Sequence, residues 1–402
     1  MTLLKFITRT GRILIAFALC LLMSQCDIKK SDANPSESFT TIYDHPDINL
    51  SFYPVDFVQT SDDGYLVLSV YTDTALSTFP LIRLMKTDKN GKMLKEMPVE
   101  NTWCSAVPSL MQRGNAWQFV CMDAVNQNVK LLETTGDLTG INEVAELSGK
   151  YPLYLYAADD WFAVLSFDRI ARTSVVTKYS TDGTLLVQNN FFINEDYKNQ
   201  VETHLKKGKQ FPFFITPAGP SSSHYLVNCF YNYTMTLLFV NASNGNLTGQ
   251  LNTYQDDAAI SAAVYLDASR FSISRYYMGE NYVIPSVDLN LNTIQGTDTF
   301  EDTKLPELVE DAISRMLITT MHGKEVIVYA SETKSNHLVI YFFEKSTGKL
   351  LTSKSLNSTN PVDIADLIVT ADGGLAILAQ TYVAGRFPRI SIFKVAAGDI
   401  KF

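Results

Sequence analysis

Three adjacent carboxylate pairs, Asp62/Asp63, Asp159/Asp160 and Asp256/Asp257, are the residues that first invite a chemical reading of this sequence. In glycosidases two carboxylates must face each other across a cleft of about 5–10 Å. Neighbours in a turn point different ways, so these pairs read as turn-formers. The five histidines (His45, His204, His224, His322, His337) lie far apart, with no HxH or HxxxH spacing. No CxxC pair, GxSxG elbow or P-loop occurs, and Asp88-Lys89-Asn90-Gly91 opens like a calcium loop but lacks its closing Glu. No catalytic residue, metal ligand or cofactor is assigned.

Cys104 and Cys121 flank the turn Arg113-Gly114-Asn115, which would set them across a hairpin. A disulfide between them is one reading. Three small buried residues, with Cys229, is the other.

A second set is aromatic and basic: Phe79, Arg169, Arg172, Tyr231, Tyr233, Arg275, Tyr276, Tyr277, Tyr282 and Arg386. They fall in the irregular stretches 72–79, 167–172, 230–235, 276–285 and 381–388. Aromatic faces stack on the apolar faces of sugars, and arginine holds carboxylates. Brought together, the set would form a binding surface for a glycan, peptide or protein; dispersed, its tyrosines cover strand edges.

The elements that must position these residues recur along the chain. Residues 54–99 hold four β-type runs separated by Asp62-Asp63-Gly64, a polar loop and Asn90-Gly91, and residues 364–402 repeat the plan. The second tight turn returns at Gly91, Gly136, Gly183, Gly245, Gly348 and Gly398, with Asn292 in a seventh position, spaced 45 to 62 residues apart. Seven units of four strands cannot each bury two faces alone, but stacked around an axis they can. The expectation is an all-β, seven-bladed β-propeller of four-stranded antiparallel blades, with six or eight blades as neighbouring counts. Residues 41–52 would add an outer strand to the last blade beside a short strand at Asp399-Ile400-Lys401-Phe402. Two insertions carry helical spacing: 193–206, with Asn194 as cap, and 303–316, with Pro306 near its start.

The first unit is similar to a repeat of bacterial secreted propellers with the pattern Thr-x-Asp-Gly-Gly-Tyr followed by a Lys-x-Asp-x-x-Gly hairpin. It matches at Thr60, Asp62, Gly64, Tyr65, Lys86, Asp88 and Gly91, and the last unit at Thr370, Asp372, Gly373 and Gly374. The resemblance implies the fold and brings no catalytic residues.

The N-terminus reads as an address. Lys5, Arg9 and Arg12 precede an apolar run, 13–23, too short for a bilayer span of about 20 residues. Leu21-Leu22-Met23-Ser24-Gln25-Cys26 resembles a lipoprotein signal of the Bacteroidetes-like type, with Gln25 in place of the usual small residue. That resemblance implies a signal peptide at 1–25, lipidation of Cys26, and attachment to the bacterial cell envelope on the outer membrane. Residues 26–41 read as a polar tether, and 42–402 as one propeller domain. The net charge of −9, without a basic run, argues against nucleic acid. The reading is a membrane-anchored, non-catalytic binding module for a glycan, peptide or protein. The rivals are a glycan-active lyase or glycosidase with a central-pocket site, and a structural subunit of an envelope complex.

Overall fold

Tight turns dictate the first unit. Thr60 N–H donates to Gly64 O (2.9 Å) and Gly64 N–H to Asp62 Oδ1 (3.2 Å), reversing the chain after Ser51–Gln59. A Cβ on Gly64 would stand 2.2 Å from Thr87 O, so only glycine fits. Tyr65–Thr72, Leu81–Thr87 and Met93–Pro98 follow as an antiparallel meander. Leu81–Thr87 is buried throughout, whereas Met93–Pro98 is largely exposed, which marks it as the outer strand.

The computed structural model describes residues 37–384 and 387–402, all within the compact unit Pro35–Phe402. The signal segment, Cys26, most of the tether and Arg386 lie outside the described residues. Among the described residues no helix is long and apolar enough to cross a membrane.

The strands form a β-propeller of antiparallel, mostly four-stranded blades, gathered into six hydrogen-bonded sheets. We number them I to VI in chain order of their inner strands. The expected seven separate blades are not found, and neither are the six or eight given as neighbouring counts. Five sheets stand separately with four or five strands each, and sheet I has nine. The cause is the link after Met93–Pro98. Its short strand Trp103–Cys104 pairs Cys104 with Leu81 and Trp103 with Asp123, joining two successive meanders. Apolar clusters link neighbouring sheets. One joins Phe57, Tyr65 and Met85 of sheet I to Leu378, Ile390 and Ile392 of sheet VI, closing the ring. Each such fully buried side chain contributes roughly 1.5–3 kcal/mol.

Phe39–Tyr43 closes sheet VI from the N-terminus, in register from Phe39↔Lys394 to Tyr43↔Ile390. Strand therefore begins inside the expected tether. Ala397–Asp399 is a 3-10 turn, so no terminal strand forms beside it. The strand expected after Asn292 also leaves its own unit. Ile294–Gly296 pairs in parallel with Leu247–Asn252 of sheet III. Gly249 allows this approach, since a Cβ there would lie 2.4 Å from Thr293 O.

Of the two expected helices, one forms. Lys198–Leu205 buries Val201 and Leu205, but Asn194 does not cap it; its N–H goes to Asn232 O (2.6 Å) and Tyr197 takes the cap position. Residues 303–316 are not helical. Thr303–Lys304 is a strand, and Asn281 captures the backbone that a helix would need: Leu305 N–H donates to its carbonyl (2.8 Å), Ala312 N–H to its Oδ1 (3.0 Å), and its Nδ2 donates to Val309 O (2.6 Å). Leu305, Leu308 and Ala312 are still buried, in the core between sheets IV and V.

Candidate functional site

In each meander the hairpins between second and third strands, and the links between successive meanders, share one end of the ring. Backbone bonds tie them together: Ser105 N–H to Pro80 O (2.8 Å), Ile193 N–H to Arg172 O (2.9 Å), Met278 N–H to Asp257 O (3.1 Å) and Tyr382 N–H to Pro361 O (2.9 Å). Three of these hairpins begin with aspartate in the same local turn. Asp73 Oδ1 accepts from Ala75 N–H, Asp123 Oδ1 from Val125 N–H, and Asp168 Oδ1 from Ile170 N–H, at 2.8 to 3.0 Å. Such Asx turns fold the tip over its own first residue and leave the next side chains in solvent. Val125 is 81% exposed and Ile170 96%. Leu76 is exposed at the tip of the Asp73 hairpin, and Tyr233, Met278 and Phe387 at the tips of other hairpins on this face. Further exposed apolar side chains, such as Leu94, Leu185 and Leu350, lie on outer strands around the circumference.

The ten residues selected from sequence do not converge. Tyr276 lines the central pocket described below, and Arg169 lines a separate cavity of about 750 Å³ between sheets I and II. Arg169 also pairs with Glu202 of the helix (3.4 Å). Phe79 is buried beneath Lys206 Nζ, 5.4 Å from its ring. Arg275 is held by Asp302 (Nε to Oδ2, 2.8 Å) and stacks on Tyr282 (4.8 Å), with Tyr277 beside it. Tyr231 packs edge-on against Phe191. Arg172 and Tyr233 are exposed at their tips, and Arg386 is outside the described residues. Cys104 and Cys121 are free. Cys104 sits in register with Met122 and shares its core, while Cys121, one residue along, points into the core on the opposite face.

A pocket of about 400 Å³ lies at the loop end of the central channel. Inner strands build it. Four of them carry a β-bulge at a similar depth, between Pro54/Asp56, Pro152/Tyr154, Ile260/Ala262 and Ile364/Asp366. Bulges re-aim side chains, and here Asp56 and Asp366 meet in a side-chain hydrogen bond. Removal from water and the charge of Asp366 push Asp56 well above the usual carboxylate range, even though Leu110 N–H donates to it (2.6 Å). Asp366 is likewise raised by burial, with Arg315 opposing. Two carboxyls in contact need a proton between them, so the pair shares one.

A second pair lines the pocket itself. Burial first, then the charge of Asp363, pushes Glu332 up to about 9. Its Oε2 is buried and has no donor, so it meets Asp363 only while it keeps its proton. Asp363 Oδ2 accepts from Tyr382 Oη (2.6 Å), whose oxygen accepts in turn from Gln380 Nε2 (2.5 Å). Arg315 donates Nε to Ala365 O (2.7 Å) and Nη1 to Ser314 O (3.0 Å).

The helix and its following loop cover part of the pocket. Lys207 turns left-handed (φ +62°), Gly208 N–H returns to Thr203 O (2.9 Å), and residues 207–213 join the lining. His204 holds this loop by accepting Phe211 N–H at Nδ1 (3.1 Å), and burial lowers its pKa to about 3, so the ring is neutral. Burial also lowers Lys207 to about 8.

No protein-family model matches the chain, and no curated protein matches it. Solved structures do resemble it. The β-propeller domain of the Trilobed protease from Pyrococcus furiosus aligns with a TM-score of 0.46 at 10% identity, over 86% of this chain and 95% of that one. The AfRom2 CNH domain aligns at 0.48 and 8%, over 88% and 98%, and the Dos1 propeller at 0.45 and 11%, over 90% and 96%.

The acids in and behind the pocket carry no local signal because they come from three strands of different sheets, Asp56 from Ser51–Gln59, Glu332 from Lys324–Glu332, and Asp363 and Asp366 from Val362–Val369. A signal in the repeat did exist: Asp56 in Val-Asp-Phe and Asp366 in Ala-Asp-Leu occupy one repeat position in the first and last units. Glu332, Asp363 and Arg315 had no such duplicate.

Proposed function

We propose that this protein is an exported, Cys26-lipidated propeller of the bacterial cell envelope, and that it binds a protein partner through its loop face without catalysis. The observation that carries the reading is the set of exposed apolar tips, Leu76, Val125, Ile170, Tyr233, Met278 and Phe387, on the face that also holds the pocket mouth. Loops on a rigid scaffold are where binding concentrates, and apolar side chains at such tips bury area only against a partner. Charges of both signs accompany them, acids at Asp73, Asp123, Asp168 and Asp257 and bases at Arg169, Arg172 and Lys206, a mixed polar rim of the kind that surrounds protein interfaces. Ser38 accepts Ala396 N–H (2.9 Å) at the opposite, Gly-turn end. A lipidated tether arriving there would leave the loop face turned away from its own membrane. Against catalysis, His204 spends its acceptor nitrogen on Phe211 N–H, and Cys104, Cys121 and Cys229 are buried.

Site-specific photo-crosslinking in the native envelope tests this. A crosslinker at Val125, Ile170 or Met278 should capture the same protein, and one at Asn90 or Thr347 in the Gly turns should not. Equal capture from both faces, or turnover of a polysaccharide by the purified protein, would overturn the reading.

A further inference from the structure

The wall of the central pocket holds a pair of acids, Glu332 and Asp363, in contact with each other. Both stand beside Arg315, with Glu310, Asp311, Lys207 and Lys209 also on the wall and the Asp56–Asp366 pair behind it. Arg315 spends Nε and Nη1 on the carbonyls of Ala365 and Ser314. Lys209 Nζ lies near Asp311 (3.9 Å) and over Phe211.

The two acid pairs differ in kind. Asp56 is buried and receives a backbone N–H, so its pair is closed to solvent on that side. The Glu332–Asp363 pair forms part of the wall of a pocket of about 400 Å³, and Glu332 Oε2 is left without a donor. Tyr382 donates its hydroxyl to Asp363 Oδ2 (2.6 Å), and Tyr53 also lines the pocket. The site thus offers one carboxylate, Asp363, one orphaned acceptor, Glu332 Oε2, and two tyrosines.

We propose that the pocket takes a primary ammonium group, free or carried on a lysine side chain, between Glu332 and Asp363 with the rings of Tyr53 and Tyr382 beside it. An ammonium brings three donors and one positive charge. It replaces the proton held between the carboxyls and supplies the donor that Glu332 Oε2 lacks, and aromatic faces attract it. A divalent metal fits less well. Among the described residues no three His, Cys, Asp or Glu side chains are placed to hold one, and calcium takes six to eight oxygens. An anion would face the Glu332–Asp363 pair, with the Arg315 guanidinium already hydrogen-bonded to the backbone. The inference does not depend on what binds the apolar tips.

Titration calorimetry of the full chain tests it with isosteres of one shape and different charge: n-butylamine, n-butanol and butyrate. The amine should bind at least tenfold more tightly than the alcohol, and butyrate should not saturate. Glu332→Gln and Asp363→Asn should each weaken amine binding at least tenfold, whereas Leu185→Ser on an outer strand should not. Glu332→Gln keeps the shape of the protonated side chain and so keeps the fold. Nα-acetyl-lysine methylamide separates the sources. Tighter binding than n-butylamine assigns the site to a peptide lysine, and weaker binding assigns it to a free amine. Indifference of the wild-type protein between butylamine and butanol overturns the proposal, as does displacement of the amine by millimolar calcium chloride.

Discussion

Lys86 Nζ lies 2.6 Å from Asp62 Oδ1, and at the other end of the chain Lys394 Nζ lies 2.5 Å from Asp372 Oδ1. Each lysine crosses from the third strand of its unit to the turn after the first, and each also contacts the turn threonine, Thr60 or Thr370. Residues that read as turn-formers thus also neutralise a buried cation. The Lys394 side chain is 2% exposed and that of Asp372 is 21%. Replacing Asp372 by Ala leaves the ammonium buried with one neutral partner and should cost about 3–5 kcal/mol. Replacing Lys394 by Met leaves an aspartate whose Oδ1 keeps the Thr370 hydroxyl and Gly374 N–H, and should cost less. Urea unfolding of the two variants gives the order, and equal losses would refute it.

Glycine at the same turns is a steric necessity. A Cβ on Gly64 would meet Thr87 O at 2.2 Å and one on Gly374 would meet Val395 O at 2.3 Å. Gly64→Ala and Gly374→Ala should each destabilise by about 1–3 kcal/mol through overpacking. Gly114→Ala is the steric control, because nothing lies within 4 Å of its Cβ position, although its φ of +58° adds backbone strain. The first two losses should exceed the third.

The repeat, the inner-to-outer order of strands and the closing strand were legible because apolar runs and Gly turns respond to local chemistry. Blade separation was not, since Trp103–Cys104 joins two meanders through three residue pairs that no pattern announces. The failed helix at 303–316 has the same origin: its apolar spacing is real, but Asn281, a residue of another strand, takes its backbone groups. The pocket was hidden for a related reason. Its acids come from different sheets, and only folding brings Glu332 and Asp363 together.

Glu332 gives the stability a defined pH dependence. Its pKa rises on folding from 4.5 to about 9, so the folded state binds the extra proton. The stabilisation tied to that proton is fully present below about 4.5 and is lost as pH rises toward 9. The melting temperature of the wild type should therefore fall relative to Glu332→Gln over this window. Parallel curves for the two proteins would exclude a raised Glu332.

Cys104 and Cys229 are pushed up to about 12 by burial, and Cys121 is also raised well above its ordinary value by burial. Thiolate is the reactive form. Iodoacetamide followed by peptide mass spectrometry should label all three only after unfolding, and dithiothreitol should leave the melting temperature unchanged. A drop in melting temperature on reduction would restore the disulfide reading of Cys104 and Cys121.

Ring closure rests on a strand that arrives from the N-terminus, and one buried hydrogen bond joins it to the first unit. Tyr43 Oη donates to Gly91 O over 2.8 Å, in a turn where Gly91 takes φ +75°. Phe39 packs beneath the same glycine, whose Cβ would come 2.4 Å from its ring. The closing strand, the last sheet and the first Gly turn thus meet at one point. Tyr43→Phe keeps the ring and removes only the donor, leaving a buried carbonyl unsatisfied, which costs about 1–3 kcal/mol. Because the bond spans the closure, its loss should act locally as well as globally. Amide exchange should accelerate in Phe39–Tyr43 and Arg389–Val395 before it does in Lys324–Glu332, a strand of sheet V away from the seam. Uniform acceleration across these strands would mean that the seam is no weaker than the rest of the ring.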